Sequence, residues 1–138
     1  MSSYRNINRN VMLDTQHQYE TVPELVAAVE DSISHQHMVA QEDTVDVAPA
    51  ENSSTQYVVS GKRSFEAAKG YSGKKVAVLN FANNHSIGGA PFSAGAQEES
   101  LCRCSTLLPC LKAMRETFYE RHIKLYEAGK LDHMGTAR

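Results

Sequence analysis

The sequence of 138 residues has no tryptophan, only four prolines and three cysteines, and its charges nearly cancel at a formal net charge of −2. This balance argues against the basic surface typical of nucleic-acid-binding proteins or membrane-surface anchors. No apolar run approaches the roughly 20 residues of a membrane-spanning helix, and the polar N-terminal segment has no signal-peptide core. We therefore expect a cytoplasmic protein with no direct nucleic-acid partner and no membrane partner.

The cysteines are too few and too closely spaced for a disulfide framework, since they stand at Cys102, Cys104 and Cys110. Such spacing is typical of proteins in a reducing compartment. Neither these cysteines nor the six histidines show the ligand spacing of a zinc site. We therefore expect no metal and no cofactor, with Cys102 as a small buried side chain.

Nucleotide-binding motifs of two common kinds are also missing. Around Lys62, a Walker A loop would need glycine at Gln56 and a hydroxyl residue at Arg63. No Gly-x-Gly-x-x-Gly sequence is present. These absences exclude a P-loop protein and a Rossmann dinucleotide-binding protein.

Helical patterns are present in both halves of the chain. Apolar residues at helical spacing predict a helix over residues 4–20, with Tyr4, Ile7, Val11 and Tyr19 as its apolar positions. A capping pattern predicts a second helix over 23–35, and a short one is predicted over 64–69, capped by Ser64 and ended by Gly70. From residue 97 onward the pattern is helical, and Pro109 is expected to kink or divide it.

Three apolar or β-branched runs predict strands. They lie around Val45 and Val47, at Tyr57-Val58-Val59, and over residues 75–81. The last run is continuously apolar, which favours a central strand covered on both faces. A polar loop is predicted over 49–55.

The segment 76–108 carries the chemical signal. It reads as a strand, a glycine-rich loop and a helix, an arrangement that directs backbone N–H groups and a positive helix end at one place. Gly88 and Gly89 permit positive φ and close approach of a ligand. Asn80 and Asn83 follow the strand, where ligands of α/β sheets sit. The pattern favours a phosphate or diphosphate ligand, with a plain turn and favourable acidic residues at a helix start as the alternative.

This segment resembles the catalytic core of the microbial-type poly(ADP-ribose) glycohydrolases. That family is marked by Gly-Gly-Gly, six to eight residues, and Gln-Glu-Glu. Here Gly88-Gly89-Ala90 is followed by six residues and then by Gln97-Glu98-Glu99. The flanking segments 76–83 and 99–107 agree as well. The resemblance is strong over residues 73–126 and weak over residues 1–60.

The resemblance implies an α/β fold, a macrodomain-like α/β/α sandwich with a mixed sheet. Residues 1–43 would form an N-terminal helical extension, and residues 44–138 the N-terminal part of the catalytic domain. The predicted strands are fewer than such a sheet usually has, and the family's second phosphate-binding loop finds no counterpart here. We therefore expect an incomplete fold, truncated on its C-terminal side, with a complementing C-terminal fragment as a candidate partner.

The resemblance also implies an activity, hydrolysis of the ribose–ribose O-glycosidic bond of poly(ADP-ribose) or release of ADP-ribose from modified proteins. Glu99 would be the catalytic acid–base, and Glu98 would act beside it by binding the ribose. Gly88, Gly89 and Ala90 would pass under the diphosphate. Further expected ligand-binding residues are Asn80, Asn83, Phe92 and Gln97.

Two other functions compete with this one. Ala90 replaces the third glycine, which would cost about 1 kcal/mol if the position requires positive φ. Such a change favours a non-catalytic module that binds ADP-ribose without turnover. The apparent truncation favours an inactive remnant.

Overall fold

The computed structural model describes residues 2–40, 42–47 and 54–132 of the chain. The helices of this part, in chain order, are α1 (Ser2–Thr21), α2 (Pro23–Ser34), α3 (Ser64–Lys69), α4 (Gln97–Arg103), α5 (Leu107–Ala113), a π-helical segment (Arg115–Glu120) and α6 (Arg121–Glu127). None of these helices has both the length and the apolar character needed to cross a bilayer. The chain forms two compact units, one of residues 1–38 and 80–138 and one of residues 39–79.

The first unit is built around α1. This helix packs against α2 and α4, and α2 packs in turn against α5. Between them lies a small core of buried residues: Met12, Tyr19, Cys102 and Leu108. Because Met12 and Cys102 are fully enclosed, the N-terminal helix and the helix of the Gln-Glu-Glu motif share one hydrophobic core.

The predicted helix over 4–20 is confirmed, but the predicted apolar face of α1 is largely wrong. Tyr4, Ile7 and Val11 are exposed, whereas Met12 and Tyr19 are buried. The spacing of Met12 and Tyr19 corresponds to two helical turns, so both lie on the same side of α1. Burial against α4 selects that side, and the other apolar residues are left in solvent.

The next two helices follow the sequence prediction closely. Pro23 occupies the first turn of α2, where its missing N–H is not needed. The third helix covers the predicted residues and gives way to Gly70. Ser64 is its first helical residue and not its cap. The Glu66 carboxylate accepts a hydrogen bond from the backbone N–H of Arg63, the residue before the helix, at 3.1 Å.

The helical stretch after residue 97 is divided before Pro109, not at it. The break falls at residues 104–106, between α4 and α5. There Ser105 Oγ donates to the Leu101 carbonyl at 2.7 Å and accepts from the Leu107 N–H at 3.2 Å. These bonds satisfy helix-end groups on both sides of the break. Pro109 lies in the first turn of α5, a position that tolerates proline.

The predicted α/β fold is contradicted. The residues that the structure describes form no strand and no sheet, so the macrodomain-like sandwich is not found. The expected central strand at 75–81 has no regular structure, and Leu79 and Phe81 are 68% and 74% exposed. A β-rich run becomes a strand only where a neighbour pairs with it and covers its faces. The runs at 45–47 and 57–59 are likewise exposed, and neither pairs with another segment as a β-strand. Residues 49–53 of the predicted loop lie outside the described residues.

Candidate active site

Helix α4 places two carboxylates in its first turn. Glu98 is 3% exposed and Glu99 is 9% exposed. A buried carboxylate is costly unless it accepts hydrogen bonds, and the first turn of a helix favours negative charge. The two adjacent side chains project about 100° apart, and they meet two different segments of the chain.

Glu98 holds the segment that precedes the glycine-rich loop. Asn80 Nδ2 donates to Glu98 Oε1 at 3.2 Å, and the backbone N–H of Asn83 donates to Glu98 Oε2 at 2.9 Å. Next to it, Gln97 Oε1 accepts from the backbone N–H of Phe81 at 2.8 Å. Residues 80–83 are therefore held on the first turn of α4 by hydrogen bonds to the side chains of Gln97 and Glu98.

The side chains of Asn80 and Asn83 differ in which of their polar atoms lack a hydrogen-bond partner. Asn83 Oδ1 accepts from the backbone N–H groups of His85 and Ser86 at 2.8 and 2.7 Å, which closes a tight turn. This leaves its Nδ2 as the free donor of that side chain within the described part of the chain. Asn80 Oδ1 is buried and has no hydrogen-bond partner among the described residues.

Glu99 meets the glycine-rich loop itself. Its Oε1 accepts a hydrogen bond from the backbone N–H of Ala90 at 3.2 Å. A β-carbon on Gly89 would collide with the Glu99 carboxylate, and one on Gly88 would lie 2.8 Å from Leu108 Cδ1. Both glycines also have positive φ, 70° and 64°. Glycine is thus required at both positions, by backbone conformation and by lack of space.

The second part of the loop is held by residues that the sequence analysis missed. Arg103 Nη1 donates to the carbonyls of Pro91 and Ala94, both at 2.7 Å. Asn8 Nδ2 of α1 donates to the carbonyls of Ser93 and Ala94 at 3.2 and 3.3 Å. The available signal was the helical spacing of Asn8 with Met12, which places both on one face of α1.

Phe92, an expected sugar contact, is half-buried and packs against the hydrophobic core. The expected residues that the structure brings together around the first turn of α4 are Asn80, Asn83, Gly88, Gly89, Ala90, Gln97, Glu98 and Glu99.

The carboxylates affect two buried groups beneath them. Burial, followed by the charges of Glu98 and Glu99, raises the pKa of the Cys102 thiol to about 12. Burial and the charge of Glu98 likewise raise the pKa of Tyr119 to about 12. Both groups are neutral at physiological pH, so Cys102 does not have the thiolate character of a nucleophile.

A cluster of aromatic rings is formed by His85, Phe118 and His122. The His122 ring lies 5.1 Å edge-on from His85 and 6.2 Å, nearly parallel, from Phe118. His122 is buried, and its Nε2 has no hydrogen-bond partner among the described residues. Burial, followed by the charges of His85 and Arg121, lowers the pKa of His122.

In the part of the chain that the structure describes, no three histidine, cysteine or acidic side chains form a group that could hold a metal.

Comparison with known proteins agrees with this combination of loop and carboxylates. The family model for the microbial-type PARG catalytic domain matches residues 8–134. The chain therefore belongs to that family, whose members are glycosidases acting on poly(ADP-ribose). The match extends well into α1, beyond the region where the resemblance is strongest by motif. No curated protein and no solved structure matches the chain significantly.

Proposed function

We propose that this chain hydrolyses the ribose–ribose O-glycosidic bond of poly(ADP-ribose) with Glu99 as acid–base. The observation that carries this proposal is the contact between Glu99 and the loop at Gly89 and Ala90. A ligand lying on that loop would be next to a buried carboxylate. Loop and carboxylate are then close enough for one to bind the substrate while the other transfers a proton.

The reaction needs one carboxyl group in two protonation states. Cleavage of a glycosidic bond passes through an oxocarbenium-like transition state. Glu99, as the acid, gives its proton to the departing ribose oxygen as the C–O bond breaks. Its carboxylate then takes a proton from the attacking water, whose oxygen bonds to the anomeric carbon. The residue is regenerated, and the net change is hydrolysis.

Glu98 has a different role in this proposal. Its two oxygens already accept from Asn80 Nδ2 and the Asn83 N–H. Each carboxylate oxygen has a second lone pair, so a ribose hydroxyl can donate to one of them. Asn83 Nδ2 would supply a donor to the same sugar, whereas Asn80 holds Glu98 in place. Glu98 therefore binds and orients the ribose beside Glu99.

The loop would bind the diphosphate. Gly88 and Gly89 carry no side chain that would keep a ligand from their backbone, while the positions of their missing β-carbons are taken up by Leu108 and Glu99. Ala90 contributes its N–H to Glu99, which ties the position of the loop to that of the catalytic carboxylate. Gln97 would support the site indirectly, because its side chain accepts a hydrogen bond from the Phe81 N–H and so holds the segment before the loop.

The test has two stages on the purified chain of 138 residues. The first is a thermal melt with and without ADP-ribose, where a ligand at about 100 times its Kd adds about 2.7 kcal/mol to the stability of the folded state. The second measures release of ADP-ribose from poly(ADP-ribosyl)ated protein. Glu99→Gln is expected to reduce release by about 100-fold or more while the ligand-dependent shift of the melt persists.

Glu30→Gln is the matched control, because Glu30 is an exposed residue of α2 in which the same chemical change is made. It should release ADP-ribose at the wild-type rate. Release that survives Glu99→Gln would overturn the catalytic assignment. A ligand-dependent shift with no release from either form would instead favour a binding module, and the absence of any shift would refute ADP-ribose as the ligand.

A further inference from the structure

We propose that Arg103, assisted by Asn8, is a positioning residue that sets the conformation of loop residues 91–95 for ligand binding. The proposal rests on the proposed function, since the ligand considered is ADP-ribose. Neither residue belongs to the glycine-rich loop or to the Gln-Glu-Glu motif. Asn8 is 85 positions before Ser93, whose carbonyl it binds.

These two side chains bind three backbone carbonyls of the loop, those of Pro91, Ser93 and Ala94. Arg103 Nη1 bridges the carbonyls of Pro91 and Ala94, and Asn8 Nδ2 reaches those of Ser93 and Ala94. The Ala94 carbonyl thus accepts from both. Hydrogen bonds from a charged guanidinium are stronger than neutral ones, so Arg103 dominates this arrangement.

The bonds determine which way the loop's N–H groups point. A trans peptide is planar, and its C=O and the following N–H point in opposite directions. Since the Pro91 and Ala94 carbonyls face Arg103, the N–H groups of Phe92 and Gly95 face away from it. Neither N–H has an acceptor among the described residues. Two backbone donors are therefore presented on the side of the loop opposite Arg103, where an anionic diphosphate would accept from them.

Arg103 is itself held in position by hydrogen bonds to Ser100 of α4 and Thr15 of α1. Its Nη2 donates to Ser100 Oγ at 3.3 Å, and its carbonyl accepts from Thr15 Oγ1 of α1 at 2.7 Å. Arg103 ends helix α4, which begins with the Gln-Glu-Glu motif. One short helix therefore fixes the carboxylates at its start and the loop conformation at its end.

The test is a calorimetric titration of ADP-ribose into the full chain, which reports the Kd and the stoichiometry separately. Arg103→Ala is expected to raise the Kd by about tenfold or more, because small displacements of a positioning element are costly. The stoichiometry should stay at the wild-type value. A merely structural loss would lower the stoichiometry, since unfolded molecules do not bind, and leave the Kd unchanged. Arg103→Lys should recover part of the affinity, because it keeps the charge and the donors.

Asn8→Asp provides the second variant if Arg103→Ala does not fold. It removes the donor and turns an oxygen toward the Ala94 carbonyl, so a smaller rise in Kd is expected. Arg9→Ala, a change at the neighbouring exposed residue, is the control and should bind as the wild type does. Wild-type Kd values in the folded Arg103 and Asn8 variants would overturn this proposal alone. No binding by the wild-type chain would overturn the proposed function, and this proposal with it.

Discussion

The carboxylate of Glu99 occupies the space into which a side chain on Gly89 would project. Gly89 has φ of 64°, and the next residue donates its N–H to the same carboxylate. The loop and the Glu99 carboxylate are thus in direct contact, with no intervening side chain. The glycine is needed here for two separate reasons, its backbone conformation and the nearness of Glu99.

Gly89→Ala should therefore impair activity by more than its effect on stability explains. Alanine at positive φ costs about 1–2 kcal/mol, and its methyl group would in addition displace the Glu99 carboxylate. We expect ADP-ribose release to fall to near the Glu99→Gln level while the chain remains folded. Release assays and urea unfolding curves on the same preparation measure the two effects separately.

Gly129→Ala is the matched control for this prediction. Gly129 has nearly the same φ, 68°, but a β-carbon there would meet nothing within 4 Å. It should lose a similar amount of stability from backbone strain and retain wild-type release. Equal release by the two alanine variants would show that the contact between Gly89 and Glu99 is unimportant for turnover.

The buried face of α1 gives a second prediction. Met12 is 0% exposed in the core beside Cys102, whereas its neighbour Leu13 is 46% exposed. Met12→Ala should lower the free energy of unfolding by about 2–5 kcal/mol, the usual cost of such a truncation in a core. Leu13→Ala should change it by about 0.5 kcal/mol or less. Urea denaturation compares the pair, and a larger loss at Leu13 would mean that α1 is turned the other way.

The helices could be predicted from sequence because their signals are local. Helical periodicity, Pro23 in the first turn of α2 and Gly70 after the end of α3 all lie within or next to the elements that they indicate. The buried face of α1 could not be predicted in the same way. Tyr4, Ile7 and Val11 have the same apolar character as Met12, and only packing against α4 decides between them.

The strands were predicted wrongly because β-structure is not a local property. Residues 75–81 have the composition of a buried strand, but their burial depends on partners elsewhere in the chain. The site lies between these cases. The motif at Gly88, Gly89 and Glu99 indicated which residues meet. Arg103 and Asn8 instead bind backbone carbonyls, which every residue has, so their partners could not be identified from the types of the side chains.

The burial of His122 predicts a loss of stability at acid pH. Burial, and then the charges of His85 and Arg121, lowers the pKa of His122 below its ordinary value of 6.5. Its ring therefore stays neutral in the folded chain at pH values where the unfolded chain already binds a proton. Stability linked to His122 is fully present above pH of about 6.5 and declines as the pH falls from there toward the lowered pKa.

His122→Phe should reduce this pH dependence, since phenylalanine keeps an aromatic ring beside Phe118 and cannot be protonated. Thermal melts between pH of about 7.5 and 5.5 should show a smaller fall in Tm for this variant than for the wild type. His17→Phe, a change at an exposed histidine of α1, serves as the control and should retain the wild-type fall, because that ring remains in water on folding. If His122→Phe and the wild type lost stability in parallel, the acid sensitivity would have to arise from other groups, and the buried neutral state of His122 would not contribute to it.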